Sequence, residues 1–188
     1  ITLVIILLHM LQKDNRYKIL RIFFEDPFPK GVGFQLREIS RKVAIAPTSV
    51  KKYLNELENE KLIIKTKHRI YGFPVYYANR DNENFKFLKR LDTIIRIKES
   101  GLLDHLAETC MPDVIVLFGS ASQGEDLKES DIDLFVMSKE EKLDLKKFEE
   151  ILKRKINIFF SENFNKLSEE LRNNIINGVI LKGYLRVF

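Results

Sequence analysis

Val114-Ile115-Val116-Leu117-Phe118-Gly119-Ser120 and Ser130-Asp131-Ile132-Asp133-Leu134-Phe135-Val136 are the two stretches on which the fold turns. The first holds a continuous apolar run, the mark of a buried strand, and the second reads as an apolar strand with two aspartates at its start. The first run stops abruptly at Gly119-Ser120, and a short helical turn is expected from there to Gln123. A strand that runs into Gly-Ser and a helix start presents backbone N–H groups and a partial positive charge, which suit a phosphate. Gly119 lets a ligand approach the backbone, and Ser120 adds a hydroxyl. In the second stretch the two-residue period of a strand puts Asp131 and Asp133 on one face and Ile132 and Leu134 on the other. Adjacent carboxylates repel unless a cation joins them. A divalent metal with hard oxygen ligands is the simplest partner, and Mg²⁺ suits a phosphate-bearing substrate.

Taken together, the stretches read Gly119-Ser120-x3-Gly124-x5-Ser130-Asp131-x-Asp133. This joint spacing, with each half at the end of a strand, resembles the signature of the DNA polymerase beta-like nucleotidyltransferase superfamily, and more closely that of its short minimal nucleotidyltransferases. Leu152–Phe160 is similar to the family's later helix end and strand, and Ile176–Gly183 to its final Gly-x-x-Leu-x-Gly segment, so the resemblance covers residues 102–188. It implies transfer of a nucleoside monophosphate from an NTP, with ATP the expected one, to a protein or small-molecule hydroxyl. Gly119, Ser120, Gly124 and Ser130 fall at the phosphate-binding positions. Asp131 and Asp133 fall at the Mg²⁺ ligands, and Asn157 at the third catalytic position.

Two residues depart from that pattern. Active members carry a third carboxylate where this chain has Asn157, and an amide offers one neutral oxygen and cannot act as a base. The family often has Arg where this chain has Gln123, which lacks the charge. These departures keep a second reading open: a catalytically degenerate domain that serves a DNA-binding regulator or an antitoxin of a toxin–antitoxin pair. Many minimal nucleotidyltransferases resemble antitoxins that pair with a helical HEPN-type protein.

The chain before these stretches reads differently. Tyr17, Leu20, Phe23 and Phe24 mark a helix over Arg16–Phe24, which Asp26-Pro27 ends. Leu36–Val43 reads as a second helix. Ala44-Ile45-Ala46-Pro47 is a tight connection with Pro at a first-turn position, and a third helix follows over Thr48–Lys61. Leu62–Lys67 and Val75–Ala78 read as strands around a basic, aromatic tip, His68–Pro74. Three helices, a tight turn before the third and a basic hairpin resemble the winged helix-turn-helix family over residues 12–80. That resemblance implies that Thr48, Ser49, Lys51, Lys52 and Asn55 face DNA in the major groove, with Lys65, Lys67 and Arg69 at phosphates. A winged helix used for protein contacts or for a homodimer is the alternative. His68 reads as a solvated wing residue.

Charge follows the same division. Residues 1–100 carry 20 Lys/Arg and 11 Asp/Glu, whereas residues 101–188 carry 12 and 16. A basic half joined to an acidic half suggests two modules with different partners. Phe85, Leu88, Leu91, Ile94 and Ile95 keep helical spacing, so a helical connector over residues 81–100 is expected between a module at 1–80 and one at 101–188. The fold class is therefore α+β: a winged helix of three helices and a hairpin wing, then a mixed sheet flanked by helices.

With 45% hydrophobic and 31% charged residues among 188, the chain is neither disordered nor fibrous. The single cysteine, Cys110, excludes an internal disulfide and any multi-cysteine zinc site, and a reducing, cytoplasmic setting is expected. Cys110 has no partner histidine in sequence, so it is not read as a catalytic thiol. Phe159, Phe160 and Phe164 read as core, and Lys153-Arg154-Lys155 as a solvated helix end. The apolar run Ile1–Met10 is too short to span a bilayer, and no membrane partner is expected. Residues 1–11 are either an extension upstream of a start at Met10 or an N-terminal core or dimer helix.

Overall fold

A computed structural model describes residues 14–29 and 32–187; the apolar run at 1–10 lies outside them. The chain divides into two compact units between Lys89 and Arg90.

In the first unit, helix α1 (Asn15–Glu25) starts where the Asp14 carboxylate accepts a hydrogen bond from the Arg16 N–H at 2.8 Å. Helix α2 (Leu36–Val43) ends in a left-handed Ala44, and α3 (Pro47–Asn59) begins with Pro47 in its first turn. The third helix stops short of the expected Lys61, which takes a left-handed conformation with φ 59°. Ile19, Phe23, Ile39, Val50, Leu54 and Leu57 are fully buried at the centre of the three helices. Strands β1 (Ile63–Lys67) and β2 (Pro74–Ala78) then form an antiparallel hairpin in which Ile63 faces Ala78 and Lys67 faces Pro74. Phe34 adds one bridge to Tyr76.

Helix α4 (Glu83–Glu99) is longer than the boundary between the units allows: Phe85 and Leu88 belong to the first core, Ile94 and Ile97 to the second. The expected connector is thus shared between the cores and is not a spacer between them.

The second unit continues with α5 (Leu102–Cys110), β3 (Val114–Phe118), α6 (Gly119–Gln123), β4 (Ile132–Val136), α7 (Lys146–Leu152), β5 (Ile156–Phe160), a 3₁₀ turn (Phe164–Lys166), α8 (Glu169–Ile176) and β6 (Val179–Gly183). The four strands lie in the order β5-β4-β3-β6. β3 runs antiparallel to both neighbours, and β4 and β5 are parallel, so the sheet is mixed. A bulge shifts the β3–β6 register between Ile115 and Val116. Both faces of the sheet are covered, which explains why β3 is apolar throughout. Ile115, Leu117, Ile132, Leu134 and Val136 share one core with Leu102, Leu106, Phe148 and Leu152. Val116, Phe118 and Phe135 share the other with Phe164 and Ile175. Among the described residues, no helix is long and apolar enough to cross a membrane.

Candidate active site

The site forms where β3 ends and β4 begins. Asp133 stands opposite Phe118 on one side and Asn157 on the other. Asp131 lies one residue before β4 and is exposed, whereas Ile132 and Leu134 are buried, which is the two-sided pattern expected for this stretch. The Asn157 amide joins the two carboxylates: its Nδ2 donates to Asp133 Oδ1 at 2.9 Å and to Asp131 Oδ2 at 3.2 Å. The structure therefore brings both carboxylates within hydrogen-bonding reach of Asn157.

Gly119 opens α6 directly after β3 with φ +70°, and a Cβ at that position would stand 2.8 Å from Asp133 Oδ2. The missing side chain serves the Asp133 carboxylate as well as any ligand. Ser120 is exposed beside it. Ser122, unremarked in sequence, is buried and donates through Oγ to the Gly119 carbonyl at 2.7 Å, which fixes the turn from inside.

Gly124 and Ser130 are occupied in shaping the loop between α6 and β4. Gly124 is left-handed, and its N–H donates back to the Ser120 and Ala121 carbonyls. Ser130 Oγ accepts from the Leu127 N–H at 2.8 Å. Gln123 donates to the Asn177 carbonyl at 3.0 Å and so ties α6 to the turn before β6.

Arg154 and Phe159 depart from expectation. Arg154 is not a solvated helix end. Its side chain is 11% exposed and pairs with the 4% exposed Asp126 at 2.9 Å. Burial lowers the Arg154 guanidinium below its ordinary pKa, Arg96 lowers it further, and Asp126 opposes the shift. No sequence signal separated this Arg from its lysine neighbours, because the burial depends on where Lys153 turns the chain. Phe159 is not core: it is 40% exposed on the edge strand β5 and meets the Phe118 ring edge-on at 5.3 Å. Phe164, by contrast, is buried as expected. Cys110 is buried, and burial first, then Glu141, pushes its thiol up.

Among the described residues, no group of three or more His, Cys, Asp and Glu gathers as a metal site. The donor set is two carboxylates and an amide. It still fits Mg²⁺, which binds through one or two carboxylates together with substrate phosphates. The amide of Asn157 already spans both carboxylates, and rotated about its last bond it presents oxygen in place of nitrogen.

In the first unit, Thr48, Lys51, Lys52 and Asn55 are exposed on α3 with Ser49 half-buried, and Lys65, Lys67 and Arg69 are exposed on the hairpin. Lys52 has Glu56 at 4.0 Å and Lys65 has Glu58 at 4.0 Å, so two of these cations carry nearby carboxylates. His68 is half-buried, which corrects its reading as solvated. Its ring centroid lies 5.1 Å from that of Tyr71 and 4.7 Å from that of Phe73, and Nδ1 accepts from the Ile70 and Tyr71 N–H groups at 3.3 Å. The histidine organises the hairpin tip.

Residues 102–184 match the model of the family described as Polymerase beta, Nucleotidyltransferase. The second unit thus carries a domain with a polymerase beta-like nucleotidyltransferase fold. No curated protein and no solved structure matches the chain.

Proposed function

We propose that the second unit transfers a nucleoside monophosphate from an NTP, with ATP the first candidate, to a hydroxyl of a protein or small molecule. The observation that carries this reading is the convergence of Asp131 and Asp133 on one side chain, with Gly119 packed against Asp133. The backbone N–H groups and the Ser120 hydroxyl at the start of α6 bind the β- and γ-phosphates. Gly124 and Ser130 hold the shape of the loop that presents them. Asp131 and Asp133 would hold Mg²⁺, and Asn157 could add its amide oxygen. The ion would supply neutralisation of the phosphate and pyrophosphate charge. Asn157 has no basic atom, so the proton of the acceptor hydroxyl would pass to water as its oxygen bonds the α-phosphorus and pyrophosphate leaves.

The first unit acts in this proposal as a winged helix on DNA, with Thr48, Ser49, Lys51, Lys52 and Asn55 towards bases and Lys65, Lys67 and Arg69 towards phosphates. The hydrogen bonds from Asn157 to both carboxylates favour a second reading, in which the nucleotidyltransferase fold is catalytically quiet. The chain then works as a DNA-binding regulator or an antitoxin, as a homodimer or with a HEPN-type partner.

One experiment separates the two. Calorimetry with ATP, CTP, GTP and UTP in the presence of Mg²⁺ is run on the unaltered protein and on Asp131→Ala/Asp133→Ala. Metal-dependent binding that the double variant loses, followed by transfer of label from an α-labelled NTP, supports the enzyme. Binding without transfer supports the quiet domain, and no binding to any nucleotide removes the nucleotide site from both readings.

A further inference from the structure

The Arg154 guanidinium gathers three partners around the start of β4. Nε donates to the Ser130 carbonyl at 2.7 Å, Nη2 to the Asp131 carbonyl at 2.8 Å, and Nη1 to the Asp126 carboxylate at 2.9 Å. Asp131 itself lies outside the strand, and the first sheet contact after it is the Ile132 N–H to the Lys155 carbonyl at 2.9 Å. The arginine reaches these groups because α7 ends in a left-handed Lys153 with φ 55°, which turns the chain back towards the loop. Glu149 secures that turn at both ends. Its carbonyl accepts from the Arg154 N–H at 3.2 Å, and its side chain accepts from the Ile156 N–H at 3.1 Å.

From these contacts we infer that Arg154 is a positioning residue for the Asp131 carboxylate: it clamps the peptide carbonyls on either side of the Asp131 Cα and so sets where that carboxylate stands relative to Asp133. A planar guanidinium serves two carbonyls and one carboxylate at once, which the single nitrogen of lysine does not. The buried Asp126 holds the guanidinium from behind and fixes its orientation. This inference rests on the reading of Asp131 and Asp133 as the metal pair.

The test uses the full chain and Mn²⁺ alone. Arg154→Lys keeps a cation beside the buried Asp126 but not the three-way contact. Arg154→Gln combined with Asp126→Asn removes both charges, so a folded protein is available even if the lysine variant unfolds. Mn²⁺ binding is followed by electron paramagnetic resonance, and amide hydrogen exchange over 127–133 is measured without metal. The expected result is Mn²⁺ affinity lowered about 10- to 100-fold, with faster exchange at Asp131 and Ile132 and a cooperative melt retained. Unchanged affinity and unchanged exchange in a folded variant overturn the inference. If the unaltered protein binds no Mn²⁺, or if Asp131→Ala/Asp133→Ala binds it equally well, the metal-pair reading falls instead. The exchange measurement then decides on the clamp by itself.

Discussion

The Asp133 carboxylate occupies the space in which Gly119 would carry a side chain: a Cβ there would stand 2.8 Å from Asp133 Oδ2. Gly119→Ala therefore meets two costs, the left-handed φ of +70° and the carboxylate itself. Loss of about 1–3 kcal/mol is expected from backbone strain of this kind. Denaturant unfolding measures that loss, and Mn²⁺ titration measures the displacement of Asp133. An alanine variant with unaltered stability and affinity would show that the turn relaxes freely.

Asn157→Asp replaces a donor to two carboxylates with a third negative charge. Without divalent metal the variant is expected to melt below the unaltered protein, because three adjacent carboxylates repel. With Mg²⁺ the order reverses, since the third carboxylate is both a ligand and a base. Thermal melts with and without MgCl₂ check the first part, and label transfer from an α-labelled NTP checks the second. A variant insensitive to Mg²⁺ would count against the metal pair.

For the first unit the prediction concerns salt. If the exposed face of α3 and the hairpin bind DNA, affinity falls steeply as salt rises, with a slope near 0.9 per phosphate neutralised. Lys51→Ala with Lys67→Ala should lower the slope by about two contacts' worth. Lys52→Ala and Lys65→Ala should do less, because Glu56 and Glu58 already stand 4.0 Å from those ammonium groups. Binding that ignores salt would direct attention to protein partners of this unit.

Cys110 offers a check on the second core. Its thiol is raised by burial and by Glu141, so the thiolate fraction at pH 8 is small and shielded. A thiol reagent is expected to react slowly with the native protein and quickly in denaturant. The native rate should increase as pH rises towards the elevated pKa. Fast labelling at pH 7 would mean that α5 opens readily from the sheet.

The parts of this architecture that sequence reveals are those fixed by period and punctuation. The apolar runs at 114–118 and 134–136 form buried strand because two cores cover them. Pro47 opens α3 because its missing N–H falls where none is needed. The cluster of Asp131, Asp133 and Asn157 is legible as residue types, and parallel pairing sets Asn157 beside Asp133. What stayed hidden depends on partners far away in the chain. Arg154 looks like its lysine neighbours until Lys153 turns it inward. Phe159 looks like core, and only its place on an edge strand exposes it. His68 joins an aromatic stack that exists only once the hairpin has closed.

Helix α4 is a single element of 17 residues that feeds two cores, with Phe85 and Leu88 in one and Ile94 and Ile97 in the other. Neither half of the chain can then be excised at a loop without injury. A fragment starting at residue 101 would lose the fully buried Ile97 from its interior, and one ending at residue 80 would lose Phe85. Gene fusions and partial digests that respect this molecule must keep residues 83–99 with whichever half is retained. The two activities proposed for the chain are bound to be inherited, lost or transplanted with that helix.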